Sequence, residues 1–394
     1  MAVAKSPWLW LLAGVVAGGG AAAVISQGGW PWANQEPIGD FRSRLSPENT
    51  ATVLRAIGGE RGIEVRRATF IGYHLTNQGD DDPTTIELRQ FWRRVEARTN
   101  GQLNMTVLTR DADLAGADNE GILLAAVGRV DAITANAPAF ANVIPKVAPI
   151  MTLLFAFDSS REGLALVSHP VFQRALEESG QPFNLRFLPG ATLDSGMRVT
   201  TTKANRTIAK TSDLNGFRLR IPPSTQMLDQ FKSLNVKPRI MPVNALLKAL
   251  RDGTVDGQEN PPSFITSFNI NKVDDRLVLT NHLWSGFLTA INSATWNDWP
   301  KEWQQIVLNE AATLQARQWA EQEKLNNSLI EQAPQRLGMA VIRPDLSAVN
   351  QNPRFRAVRE RIVQQLDARL QPIARQVING DLSARSPNSN ANGR

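Results

Sequence analysis

Two arginines on strand-like segments are the residues of this sequence best suited to holding a small anion. Arg198 lies in the segment SGMRVTTT and Arg220 in GFRLRIPP, and a later polar turn at residues 258–260, Gln-Glu-Asn, is closed by two prolines. A guanidinium group holds a carboxylate by two parallel, charge-assisted hydrogen bonds, a geometry that lysine does not offer. Together these residues predict a binding site for a small carboxylate.

Local patterning leaves the roles of single residues in this region open. Arg218 and Arg220 are two positions apart, so on a strand both side chains point to the same face. Either one is compatible with an ordinary surface arginine. Glu259 is expected to position its neighbours rather than to meet an anionic ligand, because like charges repel.

Motifs of the common enzyme classes are missing from the sequence, which has no GxGxxG, Walker, HExxH or GxSxG motif. The absence of cysteine excludes disulfides, thiolate zinc sites and a cysteine nucleophile. His74, His169 and His282 are far apart in sequence, and structural roles are predicted for the first and the last. The acidic run at 80–82 is expected to cap a helix beginning at Pro83 rather than to bind a metal. The sequence therefore predicts no cofactor and no metal.

The elements that must position the arginines follow a repeated α/β order. A strand at 65–75, a helix from Pro83, a strand at 103–109, a helix and a strand at 130–136 have counterparts in the second half. An offset of 125 residues aligns the ends of these two blocks and predicts two similar lobes. Ligands bind at the carboxyl ends of strands in such sheets, so Asn136 and Asn260 are expected to face a shared cleft. The aligned pairs are Asn119 with Asn244, Gly128 with Gly253, Val130 with Val255 and Asp131 with Asp256.

Two long helical segments follow the repeat. Residues 300–333 contain no glycine and no internal proline, and apolar residues recur there at helical spacing. Such a helix approaches about 50 Å in length, so it is expected to brace both lobes. A later helix at 355–378 is predicted to be interrupted at Pro372.

Composition and charge set the broad class of the protein. With 394 residues, 42% of them hydrophobic and 20% charged, the chain is typical of a soluble globular protein of about two domains. The net charge is +6, but no run of five basic residues occurs. Nucleic-acid binding is therefore not predicted, whereas a small anion remains a suitable partner.

The two ends of the chain are predicted to lie outside the lobes. Residues 1–26 have a short basic start and an apolar stretch, which favours a cleaved signal peptide, with an uncleaved membrane anchor as the alternative. Both interpretations predict that the body of the protein is exported. Residues 27–64 are predicted to form a linker and a short helix, and residues 381–394 a disordered tail.

Several segments resemble the DctP-type solute receptors of tripartite ATP-independent periplasmic (TRAP) transporters. They include DLNGFRLRIPPS, PVNALLKALRDGTVDGQENPPS and LTNH, within a resemblance that extends from about Thr69 to Asp345. It implies an α/β fold like that of periplasmic binding proteins, with two lobes, a hinge and a long helix bracing both. It further implies a receptor, not an enzyme, that binds a small organic anion and delivers it to membrane permease subunits.

The same resemblance implies four ligand-binding residues and a periplasmic location. Arg220 matches the arginine that clamps the ligand carboxylate, Arg198 a second basic contact, and Asn260 a polar residue after the strand. Asn136 falls where ligand-specific contacts often lie.

The resemblance also implies the lobe boundaries. One lobe would comprise residues 65–194 with 286–325, and the other residues 195–285 with 326–380.

One departure from the family pattern concerns the ligand. The helix after Met241-Pro242 carries Val243, Ala245 and Leu247 where many relatives have an aromatic residue, a glutamate and a tyrosine. The ligand class is therefore open among dicarboxylates, 2-oxo acids and acidic amino acids. An envelope-localised enzyme or ligand sensor on the same scaffold is the alternative hypothesis.

Overall fold

The computed structural model describes residues 70–110 and 118–382. The predicted signal peptide, the linker with its short helix and nearly all of the predicted tail lie outside these residues. Within the described ranges, no helix is both long and apolar enough to cross a membrane.

In the described ranges, ten strands form one mixed sheet, and twelve α-helices cover it. The strands are β1 Phe70–Thr76, β2 Leu103–Leu108, β3 Ala132–Asn136, β4 Leu185–Phe187, β5 Leu193–Thr202, β6 Arg218–Ile221, β7 Lys237–Ile240, β8 Gly257–Asn260, β9 Arg276–Asn292 and β10 Ala340–Ile342. The helices are α1 Pro83–Arg98, α2 Asp118–Ala126, α3 Ala137–Val143, α4 Ser160–Val167, α5 Pro170–Gly180, α6 Thr225–Ser233, α7 Leu246–Arg251, α8 Ser263–Ser267, α9 Ser293–Asp298, α10 Lys301–Gln332, α11 Pro353–Gln365 and α12 Gln371–Ile378.

The two halves of the sheet repeat the same topology. The strand order is β2-β1-β3-β9 in one half and β7-β6-β8-β5 in the other. In one half, β1 pairs in parallel with β2 and β3, and β3 pairs antiparallel with the long strand β9. In the other half, β6 pairs in parallel with β7 and β8, and β8 pairs antiparallel with the long strand β5. The internal repeat predicted from the 125-residue offset is thus confirmed as a structural repeat.

The long strands β5 and β9 connect the two halves. The first residues of β9 pair with β10 and with the end of β5, and its last residues pair with β3 and β4. The β5–β9 register shifts between Asp194 and Gly196, next to the predicted boundary between the lobes, although the boundaries themselves stay a prediction. Gly196 has φ +90°, a conformation that favours glycine, and a Cβ there would clash with the side-chain amide of Asn326.

Helix α10 braces both halves, as predicted. Its 32 residues span about 48 Å. Three buried amides stand four residues apart along it. Gln318 donates to Thr84 Oγ1 at the start of α1, and Asn326 accepts from the Ser263 amide after β8. Since α1 belongs to the first half of the sheet and Ser263 follows the second, one polar stripe ties the helix to both. The amides are Gln318, Gln322 and Asn326.

The predicted interruption of the C-terminal helix at Pro372 is placed slightly too late. Helix α11 ends at Gln365 and α12 begins at Gln371, so the break precedes the proline, which stands in the first turn of α12. Proline fits there because the first helical residues need no N–H donor. Phe355 of α11 packs with the core of the second half and Val377 of α12 with that of the first, so this pair of helices contacts both.

His74 has a structural role, as predicted. Trp92 Nε1, which can only donate, lies 2.9 Å from His74 Nδ1, so Nδ1 is unprotonated and Nε2 donates to Thr134 Oγ1 at 2.8 Å. This neutral tautomer is buried, and burial lowers the His74 pKa to about 3.

The His74 pKa predicts a loss of stability in acid. In the unfolded chain the imidazole has a pKa of 6.5 and binds a proton below that pH, whereas in the folded protein it stays neutral down to about pH 3. The contribution of neutral His74 to the free energy of unfolding is therefore fully present above pH 6.5. It is lost as the pH falls toward 3, by at most about 1.4 kcal/mol per pH unit. In urea unfolding at pH 7.5, 6 and 5, the free energy of unfolding of the wild type should fall relative to that of His74→Asn as the pH is lowered. Comparing the pH slopes of the two proteins cancels the buried carboxyls of raised pKa, which act in the opposite direction; equal slopes contradict the prediction.

Candidate ligand-binding site

Arg198 and Glu259 form a buried ion pair at the centre of the second half of the sheet. Arg198 Nε donates to Glu259 Oε2, and Nη2 donates to Oε1 at 2.8 Å and to the Glu259 carbonyl at 3.0 Å. Burial raises the Glu259 pKa, but the charge of Arg198 and hydrogen bonds from Arg198 and His282 outweigh it and hold that pKa at about 2. The two charges cancel, as expected for a glutamate that positions its neighbours. To the described residues, Arg198 Nη1 makes one long contact of 3.4 Å, to Ser285 Oγ, and so keeps capacity for another acceptor.

Asn260 extends this pair into a chain of buried amides and hydroxyls. Its Oδ1 accepts from Arg198 Nη2 at 3.1 Å, and its Nδ2 donates to Gln258 Oε1 at 2.5 Å. Gln258 Nε2 donates in turn to Thr201 Oγ1, which donates to Asp274. Both polar atoms of the Asn260 side-chain amide thus make hydrogen bonds to neighbouring side chains, and these contacts fix the orientation of the Arg198 guanidinium.

Arg220 is a buried guanidinium without a carboxylate partner among the described residues. Its Nε and Nη2 both donate to the Met241 carbonyl, at 3.1 and 2.9 Å. Burial lowers its pKa to about 10, with Glu259 raising it and Arg198 lowering it further. Those two residues are thus close enough for their charges to act on Arg220. At neutral pH Arg220 stays charged, and it is the cation of this region whose charge is left uncompensated.

Arg218, which local patterning could not separate from Arg220, is an ordinary paired arginine. It lies at the opposite end of β6, partly exposed, and donates to Asp256 Oδ1 through Nη2 at 2.5 Å and to the Gly253 carbonyl at 2.6 Å. The structure therefore gives the two strand arginines different surroundings.

His282 lies against the ion pair because of an irregularity in β9. Between the pairs Arg198–Leu283 and Thr200–Val278 the strand carries extra residues, and Asn281 has φ +43°. The bulge brings His282 Nε2 within 3.1 Å of Glu259 Oε2. His282 thus supports the ion pair, a structural role as the sequence suggested.

Asn136 lies at the carboxyl end of β3 in the first half. Its Oδ1 accepts from the Ala139 amide at 2.8 Å and caps α3, while its Nδ2 donates to Asp118 Oδ2. Burial raises the Asp118 pKa to about 7, opposed by a hydrogen bond from Asn77 and by the charge of Arg198. The charge of Arg198 thus reaches a carboxyl of the other half of the sheet.

The structure brings the four predicted residues to one region, though in unequal roles. Asn260 contacts Arg198 directly, Arg220 is coupled to them by charge, and Asn136 is connected through Asp118. Asp118 was not predicted from the sequence, in which its only signal is its place at the start of the helix that leads to β3. Within the described part of the chain, no group of three or more histidines and carboxylates is arranged to hold a metal.

This geometry accompanies a family match that covers most of the chain. Residues 75–366 match the family model DctP, described as bacterial extracellular solute-binding protein, family 7. The chain belongs to this family. The DctP family consists of solute-binding proteins, so the chain is a binding protein and not an enzyme. The resemblance seen in the sequence is thereby confirmed.

Individual relatives agree with the family. A solute-binding protein of Verminephrobacter eiseniae is 26% identical over 248 residues, which are 63% of this chain and 69% of that protein. A TRAP periplasmic solute-binding protein of Haemophilus influenzae, solved with bound L-gulonate, superposes with a TM-score of 0.70 at 22% identity over 80% of this chain and 99% of that one. A Sulfurospirillum deleyianum counterpart with bound succinate gives 0.68 at 20% identity, over 79% and 99%. These structures show that the DctP-family chain has the two-lobed fold.

Proposed function

We propose that this DctP-family chain captures a small organic acid between its two lobes and delivers it to the membrane permease subunits of a TRAP transporter. The observation that carries the proposal is the buried, uncompensated charge of Arg220. Leaving a charge unpaired in a protein interior is costly, so such a charge suits a partner that arrives from outside. A carboxylate of a ligand would supply the missing negative charge.

The contacts of Arg220 define how a carboxylate would meet it. The edge formed by Nε and Nη2 is taken by the Met241 carbonyl. The hydrogens of Nη1 and the second hydrogen of Nη2 remain, and they form the end-on fork of the guanidinium. A ligand carboxylate would therefore bind end-on, with Arg198 Nη1 and the Asn260–Arg198 contact ordering the surroundings. Asn136 would act from the opposite lobe.

The comparisons support a carboxylate as the shared feature of the ligand. L-Gulonate and succinate, bound by the two related structures, differ in length and hydroxylation but both carry a carboxylate. Closure of the lobes about the β5–β9 crossing and α10 would then enclose the ligand. In this proposal residues 1–26 direct the chain to the periplasm as a cleaved signal peptide.

A melting-temperature screen against organic acids tests the proposal. A ligand at about 100 times its Kd adds about 2.7 kcal/mol to the free energy of unfolding and raises the melting temperature. The ligand should be recovered unchanged after incubation, as expected of a receptor. A screen in which no carboxylate raises the melting temperature contradicts the proposed function.

A further inference from the structure

The carboxyl edge of the first half of the sheet carries buried oxygens that lack hydrogen-bond partners. Among the described residues, Asp118 Oδ1 and Gln78 Oε1 are both buried and without a partner of normal hydrogen-bond geometry. Gln78 follows the end of β1, and Asp118 opens α2, which leads into β3. Buried polar atoms are nearly always paired, so unpaired acceptors at the carboxyl edge of the sheet, where ligands bind in such folds, suit a ligand donor.

Asp118 connects this edge with the arginines of the other half. Its Oδ2 accepts from Asn136 Nδ2, and the charge of Arg198 acts on its carboxyl group. The two walls of the proposed cleft therefore differ in kind. The wall with Arg220 offers an unpaired donor, whereas the wall with Asp118 offers an unpaired acceptor on a carboxyl group that ionises near pH 7.

We propose that Asp118 selects the far end of the ligand, so that the chain prefers monocarboxylates whose far end carries hydroxyl or amine donors over dicarboxylates of the same length. This inference rests on the proposed function, since it assumes that the ligand carboxylate binds Arg220. Above pH 7, where Asp118 is mostly ionised, a second carboxylate against it would place two negative charges side by side, which is unfavourable. A hydroxyl or ammonium group would instead donate to Asp118 Oδ1 and satisfy it. Burial raises the pKa of Asp118, and a further donor from the ligand would stabilise its charged form.

Matched acids of four, five and six carbons test this preference by calorimetry. The polyhydroxy acids are threonate, ribonate and gluconate; the dicarboxylates succinate, glutarate and adipate; the amino acids 4-aminobutyrate, 5-aminovalerate and 6-aminohexanoate; and the unsubstituted acids butyrate, valerate and hexanoate. At the chain length that binds best, a donor-bearing acid should bind at least about tenfold more tightly than the dicarboxylate and the unsubstituted acid, the scale of one hydrogen bond to a charged group. Tightest binding by the amino acids or by the polyhydroxy acids identifies the donor as ammonium or hydroxyl.

The variant Asp118→Asn separates a selective role from a structural one. It keeps the shape of the side chain and removes its charge, so it should weaken the donor-bearing acid and strengthen the dicarboxylate by about tenfold each. Asp256→Asn is the matched control, because it removes the same charge at the far end of β8 from Asn260 and should leave the preference unchanged. A wild type that binds the dicarboxylate best overturns the inference and leaves the proposed function standing. Binding of none of the twelve acids contradicts the inference, whereas the proposed function is tested by the wider melting-temperature screen. An unchanged preference in Asp118→Asn contradicts the role of Asp118.

Discussion

Replacing Arg220 with alanine should abolish ligand binding without destabilising the unliganded protein. The guanidinium is the uncompensated buried charge that we propose meets the ligand carboxylate, and breaking a buried pair costs about 3–5 kcal/mol, or roughly two to four powers of ten in Kd. In the unliganded state the same side chain is a buried cation held by one carbonyl, that of Met241. Removing it relieves a desolvation cost, so the melting temperature without ligand should be unchanged or higher. Calorimetry and melting curves with and without the ligand measure both effects.

The strand itself supplies the control for this prediction. Arg218 stands two residues away on β6 and pairs with Asp256, so Arg218→Ala should retain ligand binding while losing a partly exposed ion pair worth at most about 1 kcal/mol. Arg220→Lys should recover only part of the affinity, because an ammonium group has no fork. Near-native affinity in Arg220→Ala would show that the ligand binds elsewhere.

The sequence predicted well those features that depend on residues close together in the chain. Asp82 caps α1 with Pro83 in its first turn, and the Asn100–Gly101 segment ends that helix with positive φ values. These depend on neighbouring residues and on the conformational freedom of glycine and asparagine. The repeat was visible because both lobes need the same succession of strand and helix lengths.

The features that the sequence did not predict depend on contacts between distant segments. Glu259 and Arg198 are 61 residues apart, and their bidentate pairing follows from the register of β5 against β8. Asp118 meets Asn136 only because α2 leads back to the edge at which β3 ends. No local pattern distinguishes such a carboxyl from a helix-capping one. Local sequence patterns therefore identified the arginines, but not the carboxyl groups that determine which arginine has an ion-pair partner in the described structure.

Breaking the pair of Arg198 and Glu259 should have a large effect on stability rather than on binding. Glu259→Gln should lower the free energy of unfolding by about 3–5 kcal/mol, because it leaves Arg198 buried without its counter-charge and with Arg220 close enough for the two cations to repel. Urea unfolding of the unliganded protein at neutral pH measures the loss.

A double variant distinguishes charge compensation from simple loss of packing. Replacing both partners with apolar residues, Arg198→Met with Glu259→Leu, should recover most of the stability lost in Glu259→Gln, since a buried ion pair exchanged for apolar groups is often neutral. The exposed pair of Lys248 and Asp252 is the control, because solvent screens that pair and Asp252→Asn should leave the urea unfolding curve nearly unchanged. If Glu259→Gln were as stable as the wild type, the Arg198 charge would need no internal partner. Both arginines would then be available to the ligand, and a dicarboxylate would become the better fit.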